Sequence, residues 1–160
     1  MGFDPSALPA RDIPASESRP AEWPEFEQAT PHANDHFIKR GDLEFAGTHL
    51  IIDLWGATGL DDLELMESTL RRAVDAARAT LLHIHLHHFT PNGGISGVAV
   101  LAESHISVHT WPERSYAAFD IFMCGEAEPG AAVPVLEAAF RPARSKLTEL
   151  LRGVVEPALK

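Results

Sequence analysis

Leu81 to Phe89, LLHIHLHHF, together with ISGVAVL (95–101), HISVHTW (105–111) and SYAAFDIFM (115–123), decides the fold. In the first run, alternation sends Leu82, Ile84, Leu86 and His88 to one side and His83, His85, His87 and Phe89 to the other. That period of two marks a strand with one polar face. The later runs are β-rich and separated by short breaks, and Pro91-Asn92-Gly93-Gly94 is dense with turn formers. Strands this close in sequence imply a largely antiparallel sheet.

Upstream, THLIIDLW (48–55) is an apolar, β-branched run that reads as a buried strand, ended by a turn over Gly56 to Gly59. Asp61 then opens a helix, with Glu64 three residues on in the manner of a capping box. Leu63, Met66, Leu70, Val74 and Ala77 form its apolar stripe, leaving Arg71, Arg72, Asp75 and Arg78 to water. A second helix is expected from about Ala131 to Phe140, with Pro134 in its first turn. Lys146 to Leu151 is a candidate last strand. Helices set between runs of strands give an α+β domain, an antiparallel sheet covered on one face by two helices.

Residues 1 to about 40 carry six prolines among Ser, Ala, Glu and Asp, a composition that reads as an extended arm. Trp23, Phe26 and Phe37 are the residues that could tack it to the domain. The organisation is therefore an arm over 1–42, a domain over 43–152 and a short tail over 153–160.

A net charge of -10 excludes a protein that grips phosphate backbones through clustered Lys and Arg, so no nucleic-acid partner is expected. Cationic small molecules fit better. Cys124 is the single cysteine and cannot form an internal disulfide, which points to a cytoplasmic location. With no signal-peptide pattern and no apolar run near ~18 residues, no membrane association is expected.

The densest chemistry lies in Gly94-Ile95-Ser96-Gly97, then Glu103-Ser104-His105, then His109-Thr110-Trp111-Pro112-Glu113, then Asp120-Ile121-Phe122-Met123-Cys124-Gly125. Antiparallel neighbours could bring Ser104, His109 and Cys124 together. Taken singly, each also has a plain structural reading, a histidine bonded to a carbonyl or a buried thiol. A hydrolase with Ser104 as nucleophile is weak, because no G-x-S-x-G elbow frames it. His83, His85, His87, His88, His105 and His109 raise a metal site as another possibility, although neighbouring strand histidines rarely converge on one ion.

In order and spacing these motifs resemble the prokaryotic S-adenosylmethionine decarboxylase family, over about Gly47 to Leu151. The resemblance implies a proenzyme that breaks its own Glu103–Ser104 bond by an N-to-O acyl shift. Elimination and hydrolysis then leave a pyruvoyl group in place of Ser104, which forms a Schiff base with the substrate. By the same resemblance, Ser96 and His109 assist processing and Cys124 is the proton donor. Phe89 stacks on adenine, and Glu113 accepts hydrogen bonds from ribose. The family also implies a homodimer of processed protomers, a four-layer α/β/β/α sandwich with active sites between protomers, and a place in spermidine synthesis.

Two departures stand near the substrate. The loop between Phe89 and Ser96 holds one residue more than the family pattern, and Met123 replaces the usual Thr, though alternation turns it away from Cys124. These keep ornithine or arginine open as alternative substrates for the same chemistry.

Overall fold

The computed structural model describes residues 36–155; the aromatic anchors Trp23 and Phe26 lie outside them. In chain order the elements are β1 (Ile38–Arg40), β2 (Leu43–Phe45), β3 (Gly47–Trp55), α1 (Leu63–Ala76), β4 (Leu81–His88), β5 (Ile95–Leu101), β6 (Ser104–Trp111), β7 (Tyr116–Met123), α2 (Ala132–Phe140) and β8 (Arg144–Arg152). The strands β3 to β8 make one sheet in the order β4-β5-β6-β7-β3-β8. Every neighbouring pair in it is antiparallel. The expected α+β architecture is present.

Alternation builds the two faces. On β3, Leu50, Ile52 and Leu54 are buried, and they share one core with Ile106 and Val108 of β6 and Phe119 and Ile121 of β7. Met66, Leu70 and Val74 of α1 and Leu136 and Phe140 of α2 close that core. Each fully buried Leu, Ile or Phe contributes roughly 1.5–3 kcal/mol. This layer therefore outweighs surface ion pairs such as Arg71–Glu67 at 2.7 Å, worth about 0–1 kcal/mol each. The intervening side chains, His49, Ile51, Asp53 and Trp55 on β3, point to the other face and are only partly buried.

Three local readings are corrected. The N-cap of α1 is Asp62, whose side chain accepts from the Leu65 N–H at 2.9 Å. The helix thus starts one residue later than expected, and Glu64 complements the N-terminal dipole instead of closing a capping box. Leu63 remains 38% exposed, outside the stripe. On β4 the register slips between Leu81 and His83, so two residues oppose one and Leu82 is thrown outward, 63% exposed. Leu81, not Leu82, packs against the core with Ile84 and Leu86.

At its N-terminal side, residues 38–45 fold as a two-stranded β1–β2 hairpin. At the other end, the Val155 N–H donates to the Glu44 carbonyl at 2.8 Å. Among the described residues no helix is long and apolar enough to cross a membrane.

Gly97 of β5 lies against β4 with no room for a side chain. A Cβ there would strike the His85 carbonyl oxygen and lie 2.5 Å from Leu86 Cδ2. Gly97→Ala is therefore expected to cost about 1–3 kcal/mol through overpacking, read as a lower urea midpoint. Gly130→Ala, with nothing within 4 Å, should leave the midpoint unchanged.

Candidate active site

Ser104 opens β6 directly after a tight reversal. Leu101 pairs with Ser104, so Ala102 and Glu103 alone turn the chain. Glu103 adopts φ 60, the left-handed region, which costs a residue with a Cβ about 1–2 kcal/mol. Cys124, just past the end of β7, holds both sides of the Glu103–Ser104 peptide. Its backbone N–H donates to Ser104 Oγ at 3.2 Å, and its thiol donates to the Glu103 carbonyl oxygen at 3.2 Å. Burial is the main influence raising the Cys124 pKa above its ordinary value, and the nearby Glu103 carboxylate adds to it. Both keep the proton on sulfur at neutral pH, where the thiol can donate. Met123 is fully buried on the opposite face, as alternation requires.

A second cluster sits at the far end of the same hairpin. Ser96 pairs with His109 across β5 and β6, and Ser96 Oγ lies 2.9 Å from His109 Nδ1. Both line a cleft of about 380 Å³ with Phe89, Asn92, Trp111 and Glu113, within the usual range for small-molecule sites. Phe89 and Trp111 are 48% and 41% exposed, so their rings are available for stacking. Glu113 lies in a short 3-10 turn over Pro112–Arg114, is exposed, and has no ion pair among the described residues. The longer 89–94 loop closes on itself. The Phe89 N–H donates to the Gly94 carbonyl at 2.7 Å, and the Gly93 N–H donates to the Phe89 carbonyl at 2.9 Å.

The sequence allowed Ser104, His109 and Cys124 to converge, and the structure separates them. Ser104 meets Cys124, while His109 meets Ser96. Ser104 and His109 are five steps apart along the extended strand β6, roughly 16 Å at ~3.3 Å per residue. A straight strand cannot fold that span back on itself.

Sequence reading did not single out two further groups. Thr110, 7% exposed, accepts from the Ile95 N–H at 2.7 Å and donates to the Leu60 carbonyl at 2.8 Å. It ties β6 to the start of β5 and to the loop before α1, and its place inside the His-Thr-Trp-Pro-Glu motif was the available signal. On the open face His49 Nε2 lies 3.2 Å from Asp120 Oδ1, and Arg152 Nη1 donates toward His49 Nδ1 at 3.2 Å. Only the pairing of β3 with both β7 and β8 brings these together. As for the histidines, the rings of His83 and His85 stack with centroids 6.5 Å apart. Among the described residues no three His, Cys, Asp or Glu side chains are grouped to hold a metal ion.

Residues 48–153 match the family model described as S-adenosylmethionine decarboxylase. Similar curated proteins include the S-adenosylmethionine decarboxylase proenzyme of Thermomicrobium roseum, 46% identical over 110 residues that span 68% of this chain and 95% of that protein. The proenzyme of Methanococcus maripaludis is 44% identical over 113 residues, 69% of this chain and 92% of its own length. Among solved structures, the adenosylmethionine decarboxylase from Aquifex aeolicus superposes with a TM-score of 0.64 at 33% identity, covering 72% of this chain and 98% of that one.

Thr110→Val keeps the shape of the side chain but leaves the Ile95 N–H without its acceptor and the Leu60 carbonyl without its donor. At about 1–3 kcal/mol for a buried group so stranded, a loss of roughly 2–4 kcal/mol is expected in equilibrium unfolding. A change below about 0.5 kcal/mol would show the two bonds to be dispensable.

Proposed function

Because the chain belongs to the S-adenosylmethionine decarboxylase family, we propose that it cleaves itself between Glu103 and Ser104, converts Ser104 into a pyruvoyl group, and decarboxylates S-adenosylmethionine. The products are carbon dioxide and S-adenosylmethioninamine, the aminopropyl donor of spermidine synthesis. The observation that carries this reading is the hold of Cys124 on the scissile peptide, its thiol 3.2 Å from the Glu103 carbonyl oxygen and its N–H 3.2 Å from Ser104 Oγ.

In the first step Ser104 Oγ attacks the Glu103 carbonyl carbon. A C–O ester bond forms, the C–N bond breaks, and the freed nitrogen of residue 104 takes up a proton. Negative charge that builds on the Glu103 oxygen meets the Cys124 S–H already directed at it. Elimination then removes the Ser104 α-proton and expels the Glu103 carboxylate, after which water replaces the nitrogen of residue 104, which leaves as ammonia. The imidazole of His109, oriented through Ser96, is suited to take the α-proton. The residues fit a group made in place, since the nucleophile and a donor to its own preceding carbonyl are adjacent in one turn.

His109 cannot serve the Ser104 of its own chain across roughly 16 Å of strand. A second copy related by a two-fold axis would bring its Ser96 and His109 to this chain's Ser104 and Cys124, and the reverse, making two composite sites. The open sheet face, with its half-buried His49, Asp120 and Phe122, would be covered by that copy as a four-layer α/β/β/α sandwich. The single free thiol fits the reducing cytoplasm.

Once formed, the pyruvoyl supplies the electron sink for loss of carbon dioxide. Cys124 then delivers a proton to the substrate Cα, a task its raised pKa suits by keeping the thiol protonated. Phe89 offers a ring face to adenine, and the exposed carboxylate of Glu113 can accept from the ribose hydroxyls. These two, with family membership, favour S-adenosylmethionine over ornithine or arginine.

Intact mass of the purified protein should show two fragments, 1–103 and a pyruvoyl-headed 104–160, and Ser104→Ala should show one uncut chain. Cys124→Ala retains the backbone N–H at Ser104. It should still cleave but release labelled carbon dioxide at least about 100-fold more slowly; normal turnover would remove Cys124 as proton donor. A full-length wild-type species would sink the cleavage reading.

The shared site has its own test. When Ser104→Ala and His109→Ala chains are produced together, a mixed dimer holds one site with both native groups. Cleavage of the His109→Ala chain only in that mixture is expected. Its absence in mixed dimers isolated by differential tagging would count against composite sites.

A further inference from the structure

His36 lies outside residues 48–153, the stretch that matches the family, yet it reaches the turn that holds Glu103. Its Nε2 is 3.1 Å from Glu103 Oε2. Its carbonyl accepts from the Gly125 N–H at 3.0 Å, which fixes the backbone of this segment beside Cys124. A Cβ on Gly125, itself at φ +61, would come 3.4 Å from His36 Nδ1, so the imidazole sits against the glycine. Glu103 is therefore held at two points, its carboxylate by His36 and its carbonyl by Cys124.

We propose that His36 is a positioning residue for self-cleavage, steadying Glu103 in its left-handed conformation so that the carbonyl keeps its aim toward Ser104 and Cys124. The inference rests on the cleavage reading above. The acyl shift requires the Glu103 carbonyl carbon to present a face to Ser104 Oγ, and Glu103 at φ 60 is a conformation that a residue with a side chain leaves readily unless other contacts hold it. Cys124 restrains the Glu103 carbonyl oxygen and, through its N–H, Ser104 Oγ, but touches neither the Cα nor the side chain of Glu103. A contact on the side chain restrains the Cα as well. Orientation of this kind acts on the rate of an intramolecular attack and not on the identity of the products. Because the chain preceding residue 48 supplies the contact, the extension beyond the matched stretch takes part in maturation of the domain.

The pair is about half exposed on both sides, so its effect is bounded by what a surface contact can hold, about two- to five-fold in rate. Freshly translated full-length chain, followed by mass over time, gives that rate. His36→Ala is expected to slow appearance of the 1–103 fragment by about two- to five-fold, with identical fragment masses. His36→Gln, whose amide can still donate to the carboxylate, should restore most of the rate. In a Glu103→Ala background His36→Ala should add nothing, because its partner is already gone. Fully cleaved His36→Ala enzyme should turn over like fully cleaved wild type.

Cleavage of His36→Ala at the wild-type rate would overturn the proposal while leaving self-cleavage intact. So would an equal slowing by His36→Ala when Glu103 is absent, or a His36→Gln variant as slow as His36→Ala, since either would mark a general loss of structure. A wild-type chain that never cuts would remove both this inference and the reading beneath it.

Discussion

Pairing of Ile95–Leu101 with Ser104–Trp111 leaves two residues to reverse the chain, and that short reversal sets the terms for everything around it. One of the two must leave the extended region, and it is Glu103, whose side chain makes the left-handed region unfavourable. The same register that tightens the turn sets Ser96 opposite His109 at the far end of the ladder. A single hairpin thus carries a strained peptide at its tip and a Ser–His pair near its base, at a separation fixed by the rise of a strand. Side-chain rotation cannot close such a gap.

The neighbouring strand completes the tip. β7 pairs with β6 so that His105 meets Phe122, which delivers Cys124 beside Ser104 with both its N–H and its thiol available. Inward residues of the same strands, Ile106, Val108, Phe119, Ile121 and Met123, are locked in the core by the two helices. The rigidity of that buried layer is what lets weak contacts at the tip have direction, because a serine on a loosely held strand would sample many positions relative to its own carbonyl.

Much of this was legible in the sequence, for a definable reason. Period-two alternation and turn residues located β5, β6 and β7 within a residue, and the motif residues fell on them as expected. Leu82 was misjudged because a bulge is set by the partner strand, which a local pattern cannot contain. The cap at Asp62 was missed by one position because Asp61 and Asp62 are chemically equivalent as caps, and only the path of the chain from Leu60 separates them. Residues 38–45 carry no strong alternation, and the one signal for the β1–β2 hairpin was Gly41-Asp42, its two-residue turn with Gly41 at φ 62. His36 was hidden for the same reason that His49 and Asp120 were: their partners are 67 and 71 positions away. Distance in sequence also misled in the opposite sense, since Ser104 and His109, close in the chain, are held apart by the straightness of a strand.

The strand order β4-β5-β6-β7-β3-β8 has a consequence for a chain divided at residue 103. The N-terminal piece would own β1 to β5 and α1, and the C-terminal piece β6, β7, α2 and β8. β3 runs between β7 and β8, hydrogen-bonded to both along its length, while β5 remains laddered to β6. The two pieces are therefore interleaved like the fingers of clasped hands, and neither could diffuse away without dismantling the centre of the sheet. A covalent break at the tip would change the chemistry of one residue and the count of chain ends, with the folded body staying a single object.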